Sequence, residues 1–259
     1  MDLTERLGFR ADLNLDTGEI NFQDVQVGKT LERKVHDMHP VLAEPIESGH
    51  NPIVHRIYRF IGDTPEIVNS ALKFDITVVL PHPFGREFPK TTGHYHLPLP
   101  FIDSRGIPSP DFYQLIWGKG LILLQREKPN REVEASQVDA EEMQHVVIPP
   151  WMGHLAINIG QEPLVFADIC VRTDHTNYKP YLERRGAAFY VTKENGQPHF
   201  VPNPNYPNPT IGILTPQEAG HLVYLRGKPL YTVLRDTSGA LNFLTRPYHF
   251  MDLFSKSLR

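Results

Sequence analysis

Residues 90–96 read KTTGHYH, and the fold turns on what His94 and His96 do there. In an extended strand side chains alternate faces, so the two imidazoles point the same way, about 7 Å apart at the backbone and close enough to reach one ion. Taken alone, the pattern also suits two histidines on a solvated strand face. The stretch IPPWMGHLAIN at 148–158 shifts the balance, because a Pro-Pro turn delivers His154 to the start of an apolar strand. Between the two stretches lies SPDFYQLIWGKG at 109–120, where Asp111 opens a strand. Three imidazoles and one carboxylate that leave coordination positions open suit one divalent first-row ion, Fe, Mn, Ni or Zn.

Working outward, short runs rich in β-branched and aromatic residues recur at 54–60, 74–80, 112–118, 120–127, 144–150, 155–160 and 164–171. None has a strong 3.6-residue period, and the 24 prolines and 18 glycines of the chain prevent long helices. The expected fold is therefore all-β, a sandwich or closed barrel rather than alternating strand–helix units. Residues 51–200 hold the barrel. Residues 1–50 are expected to pack on it as strands and a short helix, the helix lying in TLERKVHDMHPVLAEPI at 30–46, with a second weak helix in TPEIVNSALKF at 64–74. Residues 201–259 form a C-terminal extension: an extended strap, VPNPNYPNPTIG, then a hairpin in KPLYTVLRDTSGALNFLTRP with its turn at Thr237-Ser238-Gly239.

Composition excludes several classes. The 259 residues are 40% hydrophobic and 22% charged, which rules out a disordered chain, and the net charge of −4 gives no general attraction to nucleic acid or to an anionic membrane. No apolar run approaches the roughly 20 residues that span a bilayer. The single cysteine, Cys170, excludes an intrachain disulfide and favours a reducing compartment. With an N-terminus that lacks an apolar leader segment, the expected location is cytoplasmic.

The order His-x-His, carboxylate, glycine, Pro-Pro, His, Asn is that of the cupin barrel, a jelly-roll. More narrowly, NPIVHRIY, FDITVVLP with GREFPKTTGHYH, FYQLIWGKGLILLQ, VVIPPWMGHLAINIGQEPLVFADI and YVTKENG resemble, in the same order, segments of the cupin-type glucose-6-phosphate isomerases. The resemblance implies a homodimer with one divalent ion per subunit, held by His94, His96, an acid and His154, and a phosphorylated hexose interconverted between aldose and ketose beside it. The family's acid is a glutamate; Asp111 stands in its context, two residues before Tyr113 and seven before Gly118. Asp103, which follows His96 after a family-like gap of six, is the rival, and Asp111 is preferred because its strand context matches. Asp111, as the base, Tyr113 and His154 form the implied catalytic group. Thr77, Thr91 and Gly93 fall at phosphate-contacting positions, while His175 and Tyr178 resemble a trailing His-x-Tyr with one residue inserted. His55 and Cys170 replace tyrosines, and His55 is expected to pair with the phosphate as an imidazolium. Two other readings keep the barrel: a metal-dependent cupin dioxygenase, and a sugar-binding cupin without turnover. His36, His39, His50, His82, His145, His199, His221 and His249 show no spacing that suggests a site, and Trp117 and Trp151 are expected in the barrel core.

Overall fold

The computed structural model describes residues 1–46, 49–68, 70–100, 104–172, 176–217 and 220–258. Its strands are β1 Ala11–Leu13, β2 Ile20–Phe22, β3 Gln26–Lys34, β4 Ile53–Gly62, β5 Leu72–Val79, β6 Tyr95–His96, β7 Asp111–Trp117, β8 Gly120–Glu127, β9 Val133–Asp139, β10 His145–Ile148, β11 Gly153–Asn158, β12 Leu164–Val171, β13 Thr176–Asn177, β14 Phe189–Glu194, β15 Gln197–Pro202 and β16 Thr210–Leu214. Two sheets form the body, a six-stranded one in the order β10-β7-β12-β5-β4-β3 and a four-stranded one in the order β11-β8-β9-β16. This is the mostly-β architecture expected from the sequence, built as two facing sheets. The terminal segments enter both: β3 pairs antiparallel with β4, and β16 runs parallel to β9.

Period-2 alternation decides which side chains meet. Tyr113 and Leu115 of β7 and Phe166 of β12 point inward, where they pack with Ile122, Leu124 and Ala156 of the opposite sheet. The alternate residues, Phe112 and Ile116 of β7, Phe74, Ile76 and Val78 of β5 and Val165, Ala167 and Ile169 of β12, point outward into a second and larger core. That core is closed by the two ends of the chain, through residues such as Leu3, Leu7, Tyr231 and Phe243. Burying one such side chain stabilises the fold by about 1.5–3 kcal/mol, which explains why the ends pack down here.

The C-terminal hairpin expected from the sequence is not formed. Residues 230–236 and 242–245 are helices instead, joined by a 3-10 turn at Ser238–Leu241. The reason is a period misread: Leu230, Val233 and Leu234 recur at i, i+3 and i+4, and a helix buries all three on the sheet while a strand would split them between faces. Gln114 of β7 fixes the register. Its Oε1 accepts the Leu230 N–H at 2.8 Å, and its Nε2 donates to the Lys228 carbonyl at 2.9 Å and to that of Met143 at 3.0 Å.

The helix expected in 30–46 is also shorter than its pattern suggested. Residues up to Lys34 continue β3, and the helical part is one α-helical turn at Val35–Met38 followed by a 3-10 turn at His39–Val41. The second weak helix shrinks to Pro65–Val68. Trp151 is not core: it takes a left-handed φ of 63° after Pro149-Pro150 and is 48% exposed. Trp117 is partly buried on the outer core, with the Arg6 guanidinium 5.2 Å from its ring centroid. No helix among the described residues is long and apolar enough to cross a membrane.

Candidate metal centre and substrate pocket

Three short pieces of backbone carry the histidines. His94 and His154 face each other across a two-residue antiparallel bridge, with the His94 N–H donating to the His154 carbonyl at 3.1 Å and the His154 N–H to the His94 carbonyl at 2.9 Å. His96 is held on the other side by β13, where it pairs with Thr176. The glycine before His94 is required: Gly93 has φ of +82°, and a Cβ there would sit 2.5 Å from the Tyr181 ring. Tyr181 thus packs directly beneath the turn that aims the two histidines.

The imidazoles converge. The Nε2 atoms of His94 and His96 are 3.1 Å apart, and ligand atoms of His94, His96 and His154 all lie within 4.8 Å of one another. Asp111 stands opposite, with Oδ2 at 3.7 Å from Nε2 of both His96 and His154, while Oδ1 accepts the Phe112 N–H at 2.9 Å. The Asp111 side chain, shorter than a glutamate, reaches the cluster; the rival, Asp103, lies outside the described residues.

Burial holds all three rings neutral. It pushes His154 down to about 4, and it holds His94 and His96 well below the usual imidazole range, with His154 adding to the effect on both. Nδ1 of His96 lies 2.9 Å from the Ser109 carbonyl, a contact that places the proton on Nδ1 and the lone pair on Nε2. Nε2 of His154 is buried without a hydrogen-bond partner. Neutral rings, an orphaned nitrogen and a carboxylate at the same point make a donor set that fits a divalent first-row ion.

A cavity opens from this corner between the six-stranded sheet and the segments at 91–96 and 176–178. Thr77, Thr91, Gly93, His55, Tyr113 and Tyr178 line it together with His94, His96 and Asp111; His154 belongs to the histidine cluster without lining the cavity, and His175 lies outside the described residues. Tyr178 stacks obliquely on His94 at 5.6 Å, and the Tyr113 ring stands edge-on to His154 at 5.6 Å. Burial raises the Tyr113 phenol well above its ordinary value, with Asp111 adding to the shift, so it is a hydroxyl donor. The Thr91 hydroxyl accepts the Ala156 N–H at 3.1 Å and keeps its own proton for a ligand.

His55 does not have the charge expected of it. Burial, reinforced by Arg33 beside it, lowers its pKa to about 3, so it stands in the pocket as a neutral imidazole whose Nδ1 has no hydrogen-bond partner. The sequence reading also missed most of the charge in the cavity: Arg33, Arg59, Lys73, Asp75 and Asp168 all line it. A local signal was present only on β5, where Lys73, Asp75 and Thr77 alternate with Phe74, Ile76 and Val78, but an alternating strand is ordinarily read with its polar side to solvent.

The model of the family "Glucose-6-phosphate isomerase (GPI)" matches residues 32–207. A glucose-6-phosphate isomerase of Pyrococcus abyssi is 30% identical over 202 residues, covering 78% of this chain and 97% of that protein. One from Pyrococcus furiosus is 27% identical over 198 residues, covering 76% and 96%. Among solved structures, an oxalate decarboxylase of Bacillus subtilis aligns over 51% of this chain and 28% of its own, with 24% identity and a TM-score of 0.33. The coconut allergen cocosin aligns over 57% and 31%, with 12% identity and a TM-score of 0.34. With well over half its length matched by the family model, and a relative covered almost end to end at 30% identity, the chain belongs to the glucose-6-phosphate isomerase family.

Proposed function

We propose that the protein is a metal-dependent aldose–ketose isomerase that interconverts glucose 6-phosphate and fructose 6-phosphate through an enediol. The observation that carries the metal part is the orphaned, buried Nε2 of His154 within the cluster of His94, His96 and the Asp111 carboxylate. These four residues would hold one ion, Fe, Mn, Ni or Zn, per subunit. When bound, the ion supplies Lewis-acid stabilisation for the negative charge that develops on the sugar oxygens.

The chain's own groups do the remaining work. Asp111 takes the proton from one of the two adjacent carbons and returns it to the other. Its position is fixed by the Phe112 N–H on Oδ1. Tyr113 stays protonated at neutral pH and donates to a sugar oxygen, lowering the cost of charge there. Thr77, Thr91, Gly93 and the neutral His55 offer donors to the phosphate, and Tyr178 beside His94 borders the sugar. Apolar packing of Tyr113 on Phe166, with rings 5.2 Å apart, keeps water from that side of the pocket. A homodimer in the cytoplasm completes the reading, on the strength of the family resemblance.

The test is a coupled assay with both sugar phosphates, run on the metal-loaded protein and after chelation. Turnover is expected in both directions, lost on chelation and restored by the ion. Absence of turnover in the loaded protein on both sugars overturns the isomerase, and turnover that survives complete removal of the ion overturns the metal.

A further inference from the structure

Three cations line the pocket, Arg33, Arg59 and Lys73, and they are not equivalent. Lys73 is engaged: its Nζ is hydrogen-bonded to Oδ2 of Asp75 and both groups are buried. The other oxygen of Asp75 accepts the Phe60 N–H at 2.9 Å, so this carboxylate has committed both oxygens. Arg59 receives only what remains. Its Nε is 3.8 Å from Oδ2 of Asp75, beyond hydrogen-bond reach, and is buried with no hydrogen-bond partner.

The strand register shows where these arginines lie. On β4, Ile57 pairs with Thr77 of β5, and its same-face neighbours are His55 on one side and Arg59 on the other. His55 pairs in turn with Arg33 on β3. Thr77 therefore sits between Arg59 and the Arg33–His55 pair, all on the pocket face. Phe60, directly after Arg59, has a left-handed φ of 59°, and it is the Asp75 hydrogen bond to its N–H that holds the backbone there.

The charge balance points the same way. Arg33, Arg59 and Lys73 face three carboxylates, Asp75, Asp111 and Asp168, so the pocket is balanced before an ion is bound, and one positive charge is in excess once Asp111 is counted with the proposed ion. Hydroxyls and backbone N–H groups at Thr77, Thr91 and Gly93 supply donors without charge, and a dianion drawn into a closed pocket needs counter-charge as well. Guanidinium suits this purpose because it presents paired donors to phosphate oxygens and stays charged when buried.

We propose that Arg33 and Arg59 close on the substrate's phosphate from the two sides of Thr77, forming a two-arginine clamp that selects phosphorylated over neutral sugars. The identity of the sugar rests on the isomerase reading, whereas phosphate binding by the clamp is measurable without turnover.

The probes are inorganic phosphate, by calorimetry, and fructose 6-phosphate against fructose, by kinetics, on the metal-loaded protein. Arg59→Met and, separately, Arg33→Met are each expected to weaken phosphate binding roughly tenfold or more, the size of one lost charged hydrogen bond. The preference for fructose 6-phosphate over fructose in kcat/KM falls by a similar factor, while the ion content and the thermal midpoint without ligand hold. Arg59→Lys, which keeps the charge but not the fork, restores part of the loss. Phosphate affinity unchanged in both methionine variants overturns the clamp, as does a loss that is equal for phosphorylated and neutral sugars. A wild-type protein that binds phosphate through these arginines but isomerises neither sugar keeps the clamp and removes the isomerase.

Discussion

Strand β5, LKFDITVV, has two faces, and every one of its residues is buried. On one face Phe74, Ile76 and Val78 enter the outer core, where the Phe74 ring meets Tyr231 from the C-terminal helices at 5.2 Å. On the other face Lys73, Asp75 and Thr77 line the pocket. The usual assignment for such a strand, apolar side in and polar side out, is inverted, because the ends of the chain cover what would otherwise be the exterior. The apolar face holds the molecule together and the polar face lines the proposed active site, with one backbone serving both.

The sharpest test of that division is the metal corner, which belongs to the polar side. His96→Ala and His154→Ala are each expected to abolish turnover and to lower ion content by at least about tenfold, since removing a ligand costs no less than removing its outer-shell partner. Metal analysis of the purified variants reads this directly. Unchanged ion content in both breaks the assignment of the polar face to the metal.

The apolar face should respond in the opposite way. Phe74→Ala removes a fully buried ring and is expected to destabilise the fold by about 3–5 kcal/mol, read by chemical denaturation. Its folded fraction should still bind one ion per chain. A large loss of ion content in folded Phe74→Ala would show that the two faces are coupled through the strand and do not act separately.

What the sequence disclosed follows the same division. The histidines and Asp111 were legible because the proposed metal site would demand particular residue types at particular spacings, and the ordered family segments placed them. Lys73, Asp75 and Asp168 were not legible as pocket residues, since nothing local tells a polar face that looks into a cavity from one that looks into water. That distinction depends on the C-terminal helices, and these were themselves misread as a hairpin: Leu-Tyr-Thr-Val-Leu at 230–234 is β-prone in composition, and only the packing surface offered by β5, β7 and β12 selects the helical period.

A third test uses pH and compares buried histidines on the two sides. His145 of β10 belongs to the outer layer, with its ring 5.0 Å from Phe112 and Nε2 3.0 Å from the Lys228 carbonyl, and burial lowers its pKa to about 4. Above pH 6.5 both folded and unfolded chains hold it neutral and it contributes no pH dependence. As pH falls from 6.5 toward 4 the unfolded chain takes up the proton first, so stability is lost, by about 3 kcal/mol in all. His145→Gln, compared with wild type after chelation, is expected to flatten the stability profile across that window. The contributions of His55, His94, His96 and His154 remain in both proteins and cancel in the difference. Equal slopes would mean that this ring charges without cost, contrary to its burial.

The smallest effects come from neighbours that differ only in the face they occupy. Ile76→Val and Thr77→Val are both conservative in volume at adjacent, buried positions of β5. Ile76→Val removes one methylene from the outer core and is expected to cost about 0.5–1.5 kcal/mol in denaturation, with kinetics unaltered. Thr77→Val replaces a pocket hydroxyl by a methyl of nearly the same size. If the threonine contributes a donor to the phosphate, the loss appears in KM for the sugar phosphate, about fivefold for one hydrogen bond of roughly 1 kcal/mol, and not in KM for the unphosphorylated sugar. The unfolding free energy should then stay level or rise, because a buried polar group has been removed along with its requirement for a partner. Identical phenotypes in the two variants would mean that adjacent residues of β5 do not divide structure from function, and the phosphate would have to be sought elsewhere in the pocket.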